Sequence, residues 1–426
     1  MSNLHSATQP NRRKAIRLAN ANATIWAFGN GLTSTALISS LALELGAGFG
    51  GIAWIIAAPK LVGILRIAAP QLIQVFGNRR WFCVLCYLVS ALVLGILPPL
   101  CLPGLLPSRQ ASLIALIVCW SVYHLFQYLG TVALWDWYAD LFPPKIRGRF
   151  IGTRQRWLSA GQLIGLLMAG SINHWFRQSY PVAERWEIYC YLAVVGAILM
   201  IVAIDPLIWM PDFSRLKPKA TSWYDFLSPL TQPNMRRLMI YGLCFSTANG
   251  LSSSLMFLYL YKTLGFTLIL LLGIPALMRF GQSAVSPAIG RYVDQHGCKN
   301  IMIAAQVAVA FGPLLFVFGT AGVVMAYVVW ISYAVLNICL PTIILNYSDS
   351  QHSANNVAGY FAVTGVAFGI AAILGGYLSN YFVPGDFRTT PSSFTLYFVF
   401  AWVLRTLCVI PLCFLLKPNQ ASRTSP

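Results

Sequence analysis

Acidic residues are nearly missing from this chain: its 426 residues hold 11 Asp and Glu against 29 Lys and Arg. Charge of either sign is scarce, at 9% of residues, where a soluble domain carries about 25%. So few charges cannot cover the surface of a soluble fold of this length. The five histidines stand apart from one another, and the chain has no His-Glu-x-x-His, no phosphate-binding Gly-rich loop and no paired acids within an apolar run. Enzymatic chemistry therefore lacks its residues, and neither cofactor nor metal is expected. Ten cysteines are scattered along the sequence. Cys83 and Cys86 make the one Cys-x-x-Cys, but inside an apolar run they read as small apolar residues rather than a redox or metal pair.

What the chain has in abundance is hydrocarbon. Hydrophobic residues make up 58% of it, in stretches of about 20 residues, the length an α-helix needs to cross some 30 Å of lipid. We read twelve spans, near 18–43, 48–76, 81–104, 110–141, 150–174, 186–210, 237–262, 267–293, 299–319, 321–345, 356–383 and 392–416. The chain is thus expected to be an all-α integral membrane protein, multi-pass in a cell (inner or plasma) membrane. With the N-terminus inside, only Arg109, Arg177, Arg185, Lys262 and Arg388 fall in loops of the outer face, and the other loop cations gather inside. That bias places both termini in the cytoplasm. Basic loops beside anionic headgroups also account for the net charge of +18 without a nucleic-acid partner. The stretch after Asn11-Arg-Arg-Lys14 is too polar and too long for a signal peptide, so it reads as an uncleaved first span.

Two nearly identical polar strings sit inside apolar runs: NGLTST (Asn30 to Thr35) and NGLSSS (Asn249 to Ser254). Further matches follow in chain order. Gly77-Asn-Arg79 aligns with Gly297-Cys-Lys299, WSVY (Trp120 to Tyr123) with WISY (Trp330 to Tyr333), and GRFIGT (Gly148 to Thr153) with GYFAVT (Gly359 to Thr364). Collinear matches of this kind mark a six-plus-six duplication whose halves run in the same sense. The organisation expected is a six-helix bundle over 1–210, a linker over 211–236, and a second six-helix bundle over 237–426. Within the linker, Ser222-Trp-Tyr-Asp225 reads as a capping box opening a short amphipathic helix at the headgroup level.

On these residues the chain resembles the major facilitator superfamily. Gly290-Arg-Tyr-Val-Asp294-Gln-His-Gly297-Cys-Lys299 fits that family's G-x-x-x-D-x-x-G-x-[RK] loop between spans eight and nine. The first-half copy has Pro70 and Gln74 in place of the first glycine and the aspartate, and keeps Gly77 and Arg79. DLFPPKIRGRFIGTR (Asp140 to Arg154) is similar to a stretch in uncharacterised members, and Gly161-x-x-x-Gly165 with Gly170 resembles an antiporter motif without its proline. The resemblance implies secondary transport by alternating access and places spans 1, 4, 7 and 10 around a central cavity. It also implies a gating function for Gly290, Asp294, Gly297, Lys299, Gly77 and Arg79. The loop chemistry stands without the family: glycine permits the tight turn, and Asp294 near a helix end asks for a cation or a helix N-terminus as partner.

Given that layout, the polar residues of the spans become candidates for solute binding, because intramembrane polar groups face other helices or water rather than lipid. They are Asn30 and Thr33, Asn249 and Ser252, then Tyr123 and Gln127 on span four, beside Trp120 and Thr131, and Tyr333 and Asn337 on span ten, beside Trp330. Charge is the sharper signal. Lys60, Arg66, Arg279 and Arg405 lie within spans, each costing roughly 2.5 to 3.5 kcal/mol at a helix centre. At 1.5 Å per residue Arg66 lies about 12 Å and Arg279 about 22 Å above the inner boundary. Internal repetition sets the two on equivalent stripes, and Gln282, Ser283 and Ser286 continue the stripe of Arg279. Lys60 is rotated away from Arg66, with a stem long enough to snorkel, and Arg405 is on a span the family places outside.

Asp136 is a candidate for a coupling proton, but its place near the inner end favours an ion pair with Arg149, Arg154 and Arg156. Glu44 and His124 are the other titratable candidates. The function expected is transport of a small organic solute, anionic or polyhydroxylated, by a monomer in a lipid bilayer, with a proton or ion as coupling partner. A proton-coupled multidrug antiporter is the alternative within transport, and a non-transporting membrane sensor the alternative outside it.

Overall fold

The computed structural model describes residues 9–97, 99, 105–180, 186–212, 232–348, 353–382 and 394–415. These form twelve helical passes and no strand. The first bundle comprises α1 (Gln9–Leu32, resumed as Thr35–Glu44), α2 (Phe49–Val62, a 3-10 stretch Gly63–Ala68, then Ala69–Phe76), α3 (Arg79–Ile96), α4 (Arg109–Leu141), α5 (Pro144–Ser179) and α6 (Glu187–Val202, then Asp205–Trp209). The second comprises α7 (Pro233–Leu258, closing in a π turn Tyr259–Thr263), α8 (Leu268–His296), α9 (Lys299–Leu315), α10 (Gly319–Val329, a 3-10 turn Trp330–Ser332, then Tyr333–Tyr347), α11 (Ser353–Phe382) and α12 (Thr395–Leu407, then Val409–Cys413). Nine described helical runs are long and apolar enough to cross a membrane. The run Lys299–Tyr347 holds two passes, folded back at Gly319, whose φ of 64° suits only glycine. The passes α1 and α5 do not meet that criterion, α1 with Asn20, Asn22 and Asn30 in it and α5 with Gln162, Asn173 and His174, and both pack within the first bundle. The linker helix expected around Ser222 to Asp225 lies outside the described residues.

Polar residues and prolines set the local breaks. In α1 the helix stops at Thr33 and restarts at Thr35: Thr33 Oγ1 donates to its own turn at Gly29 O, 3.1 Å, and Ser34 turns extended and caps the next helix through Leu37 N at 3.5 Å. The matching string in α7 stays helical, with Ser252 and Ser253 bonded back to Ala248, Asn249 and Gly250 carbonyls. The sequence repeats, but the backbone does not. In α2, Pro59 removes a helical hydrogen bond and the chain tightens into the 3-10 stretch that carries Arg66.

The two bundles meet along two seams. Along α5 and α8 the backbones touch: a Cβ on Gly290 would lie 2.5 Å from Gly148 O, and one on Gly152 would lie 2.7 Å from Ser286 O. Further along, Gly170 lies against Ile269 and Leu272. Along α2 and α11, Gly365, Gly369 and Gly376 take in Lys60, Leu61 and Ala53. Large apolar side chains such as Ile198, Phe280, Phe318 and Trp175 are exposed, as a surface that meets lipid requires. We refer below to the linker face, where α6 ends and α7 begins, and to the opposite face, where Glu44 and Gly319 lie.

Candidate functional site between the bundles

The polar strings of the two halves make the same contact. Asn30 of α1 donates through Nδ2 to the Tyr123 hydroxyl of α4 at 3.1 Å, and the Tyr333 hydroxyl of α10 donates to Asn249 Oδ1 of α7 at 2.9 Å. Each tyrosine adjoins a tryptophan one turn back, Trp120 with its ring stacked 5.2 Å away and Trp330 at 6.2 Å. These amides, candidates for solute contact, are thus joined to the central helices' own phenols. Thr33 does not reach a cavity: it is fully buried, with its methyl against Gly196 of α6. Gln127 is half-buried and holds His124 Nδ1 at 3.0 Å, with the imidazole edge-on to Trp120. Asn337, on α10, is exposed.

Lys60 and Arg66 flank the middle of the 27-residue span Gly50–Phe76, each within about 5 Å of it along the axis. The Arg66 guanidinium lies over the ring of Tyr128 of α4, 3.9 Å from its centre, with Phe361 of α11 at 5.9 Å and Nε donating to Gly63 O at 2.8 Å. Lys60 does not snorkel to the surface. Its Nζ stands 5.8 Å over the same Tyr128 ring and 5.7 Å over Phe368 of α11. Two cations therefore share one aromatic ring, and neither has a carboxylate partner among the described residues. Tyr128, Phe361 and Phe368 escaped the sequence reading; Tyr128 lies one turn from His124, the signal that would have found it.

In the second half Arg279 Nη1 donates to Gln282 Oε1 at 2.8 Å, and Gln282 Nε2 donates to Trp330 O at 3.3 Å. Arg279 Nε is buried without a partner. Arg66 and Arg279, assigned to equivalent stripes, share no contact among the described residues. Ser252 is buried and spoken for: its hydroxyl accepts from Arg405 Nη2 of α12 at 2.7 Å, and that guanidinium sits 5.5 Å over Trp330 of α10. Arg405, 3% exposed, thus belongs to the interior of the second bundle, not to its outer surface.

Polar contacts between the halves gather at the linker face. Asp294, at the end of α8, accepts from the backbone N–H groups of Gly148 at 2.8 Å and Arg149 at 2.9 Å, in the first turns of α5. A carboxylate there meets the positive end of the helix dipole. Gly290 serves the close crossing with Gly148 rather than the turn, which falls to Gly297 at φ 79°. Gly77 does the same after α2 at φ 75°. Arg147 Nη1 donates to Asn346 of α10 at 2.6 Å. Lys299 Nζ donates to Cys413 O at 2.7 Å and so closes the end of α12 within its own bundle.

Asp136 is ion-paired, but with a partner other than the one expected. Arg79 gathers Asp136 at 3.3 Å, Asp140 at 2.6 Å and Asp212 at 2.9 Å, while Arg154 lies over the rings of Trp135 and Tyr138. The reason is reach: Arg79 at the α3 start meets the ends of α4 and α6, whereas Arg154 and Arg156 turn toward aromatic faces. Asp136 also accepts from Ser353 at the start of α11, which ties this cluster to the other half. At the opposite face Glu44 pairs with Arg177 and accepts from Tyr189 at 2.9 Å, joining α1, α5 and α6. Asp136 and Glu44 are thus held in ion pairs, and His124 is held by Gln127.

Among solved structures the chain is similar to the human organic anion transporter MFSD10 (TETRAN), at 15% identity over 95% of this chain and 100% of that one, TM-score 0.67. It is similar to the nucleoside transporter NupG, at 15% identity over 95% and 99%, TM-score 0.60. It also resembles a D-xylose-proton symporter, at 13% identity over 96% and 99%, TM-score 0.67. At such identities the likeness is one of fold. A comparison with curated proteins finds no match. The family model described as Major Facilitator Superfamily matches residues 22–376, across both bundles, and the chain therefore belongs to the major facilitator superfamily.

Proposed function

We propose that the protein is a secondary active transporter of a small organic anion, working by alternating access with its termini and linker on the cytoplasmic side of a cell membrane. The observation that carries this reading is the pair Lys60 and Arg66 on one ring of Tyr128, at mid-span, with no acid beside them. Like charges in a medium of low dielectric repel, and an anion arriving between them relieves both that repulsion and their desolvation. A planar guanidinium also offers a carboxylate two parallel hydrogen bonds. The organic anion carried by one fold neighbour is consistent with this charge, and the proton coupling named for another suits an anion drawn in with a proton.

The test is uptake into proteoliposomes of labelled carboxylates, neutral sugars and cationic amines, with wild type and Arg66→Gln. Carboxylates should accumulate, and Arg66→Gln should lose about ten- to a hundredfold in apparent affinity, the worth of a charge-assisted bond. Accumulation of sugars or amines without any carboxylate would sink the anion reading.

A further inference from the structure

We infer that the anion this site selects is an aromatic carboxylate, bound with its charge on Lys60 and its ring between Tyr128 and Phe368. The inference rests on the transporter reading and narrows it. Three observations lead to it.

The first is that the groups a sugar would need already have partners. Recognition of a polyol depends on amides and carboxylates free to both donate and accept. Here Asn30 bonds to Tyr123, Asn249 to Tyr333 and Gln127 to His124. A polyhydroxylated solute would meet amides with part of their hydrogen-bonding capacity already taken.

The second is the difference between the two cations. Arg66 is held, with Nε on Gly63 O and its guanidinium 3.9 Å from the centre of the Tyr128 ring. Lys60 makes no hydrogen bond among the described residues, and its ammonium lies over the rings of Tyr128 and Phe368. An ammonium carries three donors, and at mid-span the protein supplies none of them with an acceptor. Lys60 is therefore the cation with all its donors open to an incoming carboxylate, beside the guanidinium of Arg66, whose Nε is already engaged.

The third is the wall. Tyr128 of α4 and Phe368 of α11 both border Lys60 Nζ, at 5.8 and 5.7 Å, both half-buried, on helices of different bundles. A carboxylate at Nζ places the atoms attached to it between these rings. Ring against ring in offset or edge-on geometry is favoured over ring against saturated carbon. Because the two walls belong to different bundles, an occupant of this kind also touches both halves that must rock.

A matched pair of ligands tests this: benzoate and cyclohexanecarboxylate, equal in charge and nearly in size, with glucose as the neutral comparison. Thermal unfolding of the detergent-purified protein is followed against each. Benzoate should bind about two- to tenfold more tightly than its saturated counterpart, the worth of an aromatic contact. Lys60→Gln should weaken both carboxylates about ten- to a hundredfold, and Phe368→Leu should erase the preference while leaving cyclohexanecarboxylate binding within about twofold. Equal binding of the two acids overturns the aromatic assignment and leaves the anion reading standing, as does a Lys60→Gln protein that binds like wild type. Stabilisation by glucose alone overturns both. Should Lys60→Gln fail to fold, the matched pair on the wild-type protein decides the matter without it.

Discussion

Tyr123 and Tyr333 occupy corresponding places in the two halves, each closing an amide of the duplicated string onto the next central helix. Removing one hydroxyl leaves a half-buried amide short of a partner, so Tyr333→Phe should lower stability by about 1 kcal/mol, read as a fall in the unfolding temperature in detergent. Gly290 is less forgiving. A side chain there would strike the Gly148 carbonyl at 2.5 Å, and Gly290→Val should cost about 1 to 3 kcal/mol through overpacking, measured the same way, with the bundles pushed apart at the linker face. How far single residues were legible follows from what decides them. The amides and embedded cations stand out in the sequence because polar groups in hydrocarbon need a reason. Their partners do not stand out, since they come from other helices. Ser252 was expected at the cavity and holds Arg405 instead; Asp136 was expected to pair with α5 and pairs with Arg79. Rotation of a helix about its own axis determines such pairings, and hydropathy is nearly blind to it.

Element by element, the passes lie close to where runs of apolar residues place them: the fourth was read as 110–141 and is Arg109–Leu141, the eighth as 267–293 and is Leu268–His296. Length and hydropathy are enough for this, because lipid fixes both. Interruptions are another matter. The halt of α1 at Thr33–Ser34, the 3-10 stretch of α2 and the π turn that ends α7 leave no mark in hydropathy, and the α1 string breaks where its near-copy in α7 does not. The tie between α8 and α5 belongs to this scale as well. Asp294→Ala removes the acceptor for two backbone N–H groups of α5; in a single-cysteine protein retaining Cys298, it should raise the rate of maleimide labelling at that buried thiol several-fold as the linker face opens. An unchanged rate would mean that the glycine crossing alone keeps this face shut.

For the molecule as a whole, the duplication seen in the sequence becomes two bundles of six passes related through matching contacts, and polar ties between them collect at one face: Asp294 with α5, Arg147 with Asn346, Asp136 with Ser353. If the bundles rock, this face must part. Replacing Asp136 and Ser353 together by cysteine puts two thiols where a hydrogen bond now joins the halves, to be tested for disulfide formation. Oxidation should stop uptake and a thiol reductant should restore it, while a protein with Ser353→Cys alone should be indifferent to both. The two seams between the bundles are unlike in kind. Along α5 and α8 peptide backbones meet over glycines, with few side chains to rearrange; along α2 and α11 the seam carries Lys60, Arg66 and the aromatic rings. If the bundles rock and solute binds at Lys60, movement and selectivity fall on separate sides of the protein. Substitutions around Lys60 would then alter what is carried while the glycine crossing of α5 and α8 stays as it is.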